Sequence, residues 1–216
     1  MPDKRFLVLG GAGLTGFQIA RRILSDLRPE EIVIVSLGAE EVDRAVAALQ
    51  ADAPDVRISG EWGDVFLRGE YARRSRRELL DDDDAREGIF ADLLGPIEEA
   101  YERSELAAII RRHRPHVIVD SINTATAISY QDVYTSAVEA KQAVDAIDAG
   151  DGDPHDAVHD VEALILSQAV PQLIRHSMML HRAMVEVGTR LYLKVGTTGT
   201  GGMGLNIPYT HSEDRP

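Results

Sequence analysis

The sequence predicts an α/β fold built on a doubly wound parallel sheet with strand order 3-2-1-4-5. Three observations predict it. Five apolar runs, at residues 6–9, 32–35, 56–59, 117–120 and 191–195, read as strands, and four of them are continuous, as in a sheet covered on both faces. Helical periodicity fills most of the intervals between them. A glycine cluster closes the first strand, where such a sheet opens its ligand crevice. Regular alternation of strand and helix then implies right-handed crossovers.

The first strand, Phe6-Leu7-Val8-Leu9, runs into Gly10, Gly11, Gly13 and Gly16, and a helix over 13–27 follows with Phe17, Ile19, Ala20, Ile23 and Leu24 on one face. Strand, glycine turn and helix is the order that a dinucleotide pyrophosphate needs. The turn must be tight, the backbone must approach phosphate, and the helix must pack closely on the strand. Exposed amides at the helix N-terminus then meet the negative charge. Gly10, Gly11, Gly13, Leu14, Thr15 and Gly16 are therefore the candidate pyrophosphate contacts, against the alternative of a glycine turn without a ligand.

The second strand leads into a helix over 40–51 carrying Val42, Ala45, Val46 and Leu49 on one face. A carboxylate at the end of this strand ordinarily bonds the ribose hydroxyls of NAD. Ser36 holds that position, and the next acid is Glu40. A small polar residue leaves room for a 2′-phosphate, which leans the expectation slightly toward NADP over NAD. The arginine usual beside such a phosphate is missing unless Arg44 reaches back, and Ser36 could equally just end a strand. After the third strand, Asp64 and Val65 in Trp62-Gly63-Asp64-Val65 fall beside the adenine pocket. Asp64 either accepts from the adenine amino group or is an ordinary turn carboxylate.

Residues 68–87 interrupt the rhythm with an arginine-rich stretch and the run Asp81-Asp82-Asp83-Asp84, read as a solvated surface insertion. Residues 89–113 read as two helices broken near Gly95-Pro96. The fourth strand exits through Asp120-Ser121-Ile122-Asn123-Thr124, small and hydroxyl residues that in this fold border the nicotinamide half of a cofactor. Ser121 and Asn123 are the candidate contacts there; the alternative is a plain polar loop. At least two helices occupy 133–187, with a second insertion at 149–160 whose acids and histidines lack calcium-loop or zinc-helix spacing, so no metal is expected. His176 and His181, five apart, read as ordinary helix residues. The fifth strand ends in Gly196-Thr197-Thr198-Gly199, where a hydroxyl could bond a substrate oxygen, or where the glycines form a mobile loop.

Composition sets the outer bounds. The 216 residues are enough for one domain, and 44% apolar with 27% charged residues is ordinary for a globular protein. The absence of cysteine excludes disulfides, thiol catalysis and cysteine-ligated metals. With no membrane-spanning run, and a first strand that leaves no room for a signal peptide, the expected location is the cytoplasm. A formal charge of −13 disfavours nucleic acid and anionic membranes and leaves a small molecule as the expected partner.

The Gly10-Gly11-Ala12-Gly13-Leu14-Thr15-Gly16 turn, Asp64 after the third strand, the small-residue exit of the fourth, and the segment from Thr197-Thr198 to Ile207-Pro208-Tyr209 and Glu213 together resemble the extended short-chain dehydrogenase/reductases, the NAD-dependent epimerase/dehydratase group. The resemblance implies a Rossmann-like fold, an NAD(P) cofactor and hydride transfer on a small carbonyl, hydroxyl or sugar-nucleotide substrate. It implies that Thr198 holds the catalytic hydroxyl, and it sets Gln168 where an asparagine often lies. The central departure from the family is an absence. The tyrosine four residues before a lysine that serves as proton donor occurs nowhere in it. By the family pattern that pair would fall just beyond Pro216, as would the last strands and the substrate lobe. The expectation is therefore the amino-terminal part of a longer oxidoreductase or epimerase/dehydratase, or else a non-catalytic dinucleotide sensor. The apolar fifth strand, bare at the sheet edge, is expected to be covered by a missing carboxyl-terminal segment or by a second copy in a homo-oligomer.

Overall fold

A computed structural model describes residues 4–122 and 133–196. The sheet is five-stranded and parallel, in the order β3-β2-β1-β4-β5 that the alternation predicts. Its strands are β1 (Arg5–Leu9), β2 (Glu31–Ser36), β3 (Arg57–Trp62), β4 (Val117–Asp120) and β5 (Leu191–Lys194). Leu9, the last residue of β1, pairs with Val35 on one side and with Asp120 on the other. Asp120 in turn pairs with Lys194. The carboxyl ends of the central strands thus stand in one row.

Successive side chains of a strand point to opposite faces, and the two faces are filled by different helices. Phe6, Val8, Ile32 and Ile34 pack beneath α1 (Leu14–Leu27) and α2 (Ala39–Asp52), against Ile23, Leu24 and Leu49. Leu7, Leu9, Val35 and Ile118 pack beneath α6 (Glu105–His113) and α9 (Ala169–Val187), against Ile109, Ile110 and Leu180. Tyr101 of α5 (Ile97–Arg103) is clamped on this second face. Arg111 and Arg182 lie 4.4 Å from its ring, and its hydroxyl donates to Glu186 at 2.5 Å. Burial and the Glu186 carboxylate raise its pKa. β5 forms the open edge, with Leu191 and Leu193 each 46% exposed.

Two features differ from the sequence reading. The chain from Asp83 to His113 forms three helices, α4 (Asp83–Leu94), α5 and α6, because a second break falls at Ser104. The Ser104 hydroxyl accepts from Ala107 N and starts α6, a cap that the continuous apolar periodicity hides. Residues 68–87 are also more than a surface ornament. With α3 (Arg76–Leu80) they bury Leu79 and Ala85 in a third apolar cluster with Leu67, Ile89 and Leu166, and they bury Arg86 as well. The aspartate run is put to structural use. Asp82 caps α4 through Ala85 N and accepts from Arg74, while Asp83 holds the buried Arg86. Of the expected insertion at 149–160, only 149–153 join α7 (Val133–Asp148) to α8 (Pro154–Leu166); the rest is the start of α8, which Asp153 caps.

Candidate functional site

The glycine turn is held by long-range bonds before any ligand is considered. Gly10 has φ +72°, a left-handed conformation that favours glycine. Gly11 N donates to Val35 O and Gly13 N to Gly10 O. Ser121, at the exit of β4, donates its hydroxyl to Leu9 O at 2.8 Å and its amide to the same oxygen at 2.9 Å. A Cβ on Gly16 would run into the Gly10 carbonyl oxygen and the Ser121 hydroxyl, so α1 approaches the strand as closely as it does only because Gly16 has none. Gly13 differs. Among the described residues a Cβ there meets only Gly10 O, at 3.3 Å.

Gly13 is the N-cap of α1, and its carbonyl takes the first helical bond, from Phe17 N. No side chain caps this end, and no acid stands in its first turn. The amides of Leu14, Thr15 and Gly16 therefore have no capping acceptor among the described residues, and Leu14 is 85% exposed. Such an end offers donors and a positive dipole terminus to an anion. A pyrophosphate fits here: the donors are present, and the space beside Gly13 is what a side chain would fill.

At the end of β2 the structure adds a residue that the sequence reading passed over. Glu41, in the first turn of α2, accepts from the Ser36 hydroxyl at 2.5 Å and from Gly38 N at 3.1 Å. A carboxylate thus stands where Ser36 alone was expected. Asp64 accepts from Phe66 N at 2.9 Å, and its own amide donates to Ala72 O. Val65 is buried in the core beneath α6 and α9, which leaves only its backbone for a ligand. Asn123 and Thr198 lie outside the described residues. Gln168 precedes α9 and donates its amide to Leu164 O.

A polar cluster at the ends of β4 and β5 also went unread. Asp120 is 1% exposed. One of its oxygens accepts from Ile122 N, and the other accepts from the Tyr192 hydroxyl at 2.8 Å and pairs with Lys194 Nζ at 2.9 Å. Lys194 Nζ donates further to Ile122 O at 2.7 Å. Burial, and then Asp120, push the Tyr192 phenol well above the usual tyrosine range. That is the reverse of what a tyrosine acting as an acid near neutral pH requires. Tyr192 and Lys194 hold the β4 exit in place; they do not replace the family's tyrosine–lysine pair. His176 of α9, taken as an ordinary helix residue from its spacing, packs its ring on Phe66 with centroids 4.4 Å apart. Its Nδ1 is buried without a hydrogen-bond partner among the described residues. Burial lowers its pKa to about 4, opposed by nearby Asp120. The one available signal was the pair Tyr192 and Lys194, two apart on one face of a strand whose other face carries Leu191 and Leu193.

No described helix is long and apolar enough to cross a membrane. No family model matches the sequence, and no curated protein matches it. Among solved structures, a short-chain dehydrogenase from Sphingobium yanoikuyae in complex with NADPH is similar at 14% identity and a TM-score of 0.42, over 92% of this chain and 54% of that one. The chain thus spans about half the length of that structure. The L-sorbose reductase of Gluconobacter frateurii, complexed with NADPH and L-sorbose, is similar at 12% identity and a TM-score of 0.32, over 92% of this chain and 98% of that one. An NAD+-bound xylitol dehydrogenase gives 11% identity and a TM-score of 0.31, over 90% and 98%.

Proposed function

We propose that this chain binds a nicotinamide dinucleotide, NADP or NAD, along the carboxyl edge of its sheet. It would serve an oxidoreductase or epimerase/dehydratase of the extended short-chain type acting on a small carbonyl, hydroxyl or sugar-nucleotide substrate. The observation that carries the reading is the uncapped start of α1, with the amides of Leu14, Thr15 and Gly16 beside the open face of Gly13. Bound nicotinamide supplies hydride chemistry. The residues of this chain bind and orient: the Gly10–Gly16 turn takes the pyrophosphate, Ser121 fixes the turn, Ser36 and Glu41 face the adenosine ribose, and Asp64 with the Val65 backbone borders adenine. Asn123 and Thr198 are assigned to the nicotinamide and substrate end.

A second reading, a dinucleotide sensor without turnover, is favoured by Tyr192, whose proton is committed to Asp120. Calorimetric titration of the purified chain with NADP and NAD tests what the two readings share. Binding to the native chain and its loss in a folded Gly13→Val variant are expected, because the added side chain fills the phosphate approach. Undiminished affinity in that variant would sink both readings. The reading frame past Pro216 separates them: a Tyr-x-x-x-Lys there favours the enzyme, and a stop favours the sensor.

A further inference from the structure

The segment after β3 brings a cation to the end of β2. Gly63, buried and with φ +135°, donates its amide to Ser36 O at 3.0 Å. Ala72 O lies against the same glycine: it accepts from Asp64 N at 2.7 Å, and a Cβ on Gly63 would meet it at 2.9 Å. Arg73 therefore follows directly on a residue packed against the junction of β2 and β3. Its guanidinium lies over the Trp62 ring, 4.9 Å from the centroid. Trp62 is the register partner of Ser36, and neighbouring strands lie only about 4.8 Å apart. Both side chains point to the α2 face: Ser36 bonds Glu41 of α2, and a Cβ on Gly60, two residues before Trp62, would run into Val42 of α2.

Arg73 also differs from its neighbours in charge balance. Arg68 engages Asp92 and Glu70, Arg74 engages Asp82, Arg77 engages Asp81, and Arg86 engages Asp83 and Glu162. Among the described residues Arg73 engages no carboxylate, in a chain with 36 acidic and 23 basic side chains. A guanidinium held over an indole through cation–π attraction still carries five N–H donors, the fork that suits an anion. In the dinucleotide reading, the group that reaches the end of β2 is the 2′ substituent of the adenosine ribose.

We infer that Arg73 binds the 2′-phosphate of NADP, a cation supplied by the segment after β3 rather than by the turn after β2. The inference rests on the dinucleotide reading above. Bidentate N–H donation from the guanidinium would hold the phosphate, while contact with Trp62 restrains the side chain. Glu41 opposes it, and Arg73 must outweigh that carboxylate.

The test is calorimetric titration of the full 216-residue chain with NADP, NAD, adenosine 2′,5′-bisphosphate and AMP. The native chain should prefer the bisphosphate to AMP. Arg73→Gln should weaken NADP about tenfold and leave NAD within about twofold, with Arg73→Lys intermediate because it keeps charge but loses the fork. Arg73 is exposed, so both variants should fold, and circular dichroism checks that they do. Parallel loss of NADP and NAD, no loss of either, or no preference for the bisphosphate would each overturn the inference and leave dinucleotide binding standing. Failure of the native chain to bind any of the four would overturn the dinucleotide reading with it.

Discussion

Lys194 meets Asp120 across the last rung of the β4–β5 ladder, 2.9 Å from a carboxylate that water scarcely reaches. Truncating the cation strands that carboxylate. Lys194→Met should destabilise the chain by roughly 1–3 kcal/mol, the range between a half-exposed and a fully buried broken pair. Asp120→Asn in the same background should recover part of the loss, since the remaining group is then neutral. Urea midpoints of the two singles and the double measure the coupling, and strict additivity would show that the pair does not interact.

Glu41 gives a complementary handle on cofactor choice. Glu41→Gln removes the charge beside Ser36, while an amide at this position still accepts from Gly38 N, so the start of α2 should survive. The affinity ratio of NADP to NAD should move toward NADP by about tenfold, because a phosphate no longer meets a carboxylate and a ribose diol loses its acceptor. An unchanged ratio in comparative titration would remove Glu41 from the ribose site.

His176 predicts a pH dependence with a definite sign. Its ring titrates at about 4 in the folded chain against an ordinary value of 6.5. The unfolded chain therefore takes up the proton first. Stability is complete above pH 6.5 and declines as pH falls toward 4, by about 2 kcal/mol at pH 5. His176→Gln should flatten the difference in urea stability between pH 7.5 and pH 5 by about that amount. An equal slope in both proteins would place the charged ring in solvent.

Arg28 ends α1 in the left-handed region, at φ 44° and ψ 68°, with an exposed side chain. Arg28→Gly relieves the strain at the cost of a looser unfolded chain and should raise stability by about 0.5 kcal/mol. Arg28→Ala, which keeps a Cβ, should bring no gain. Melting temperatures of the three proteins decide.

The sheet was legible because strands covered on both faces must be apolar throughout. The runs at 6–9, 32–35 and 117–120 mark β1, β2 and β4 to within a residue at each end. Gly10 to Gly16 were legible for a related reason, since tight turning and close helix packing leave few residue types. What the sequence hid are pairings decided by register. Asp120 and Tyr192 are 72 residues apart, and nothing local in either strand announces the other. Glu41 is one of two adjacent acids in the sequence, and only the start of α2 turns it toward Ser36. Arg73 sat in a charge run that reads as solvent-facing, and only the fold of Gly63 against Ala72 brings it to the indole.

The hydroxyl bond from Ser121 to Leu9 spans 112 positions. It sets an order of events during synthesis. β1, with β2 and then β3 beside it, can assemble from the first 62 residues, and α1 can dock on them. The other side of β1 has no partner until β4 arrives at residue 117, after a loop whose closure makes such topologies slow to fold. Only then does Ser121 reach Leu9 and the carbonyl of Gly10. The Gly10–Gly16 turn precedes β2 and β3 in the chain, yet it takes its final shape only after β4 has followed.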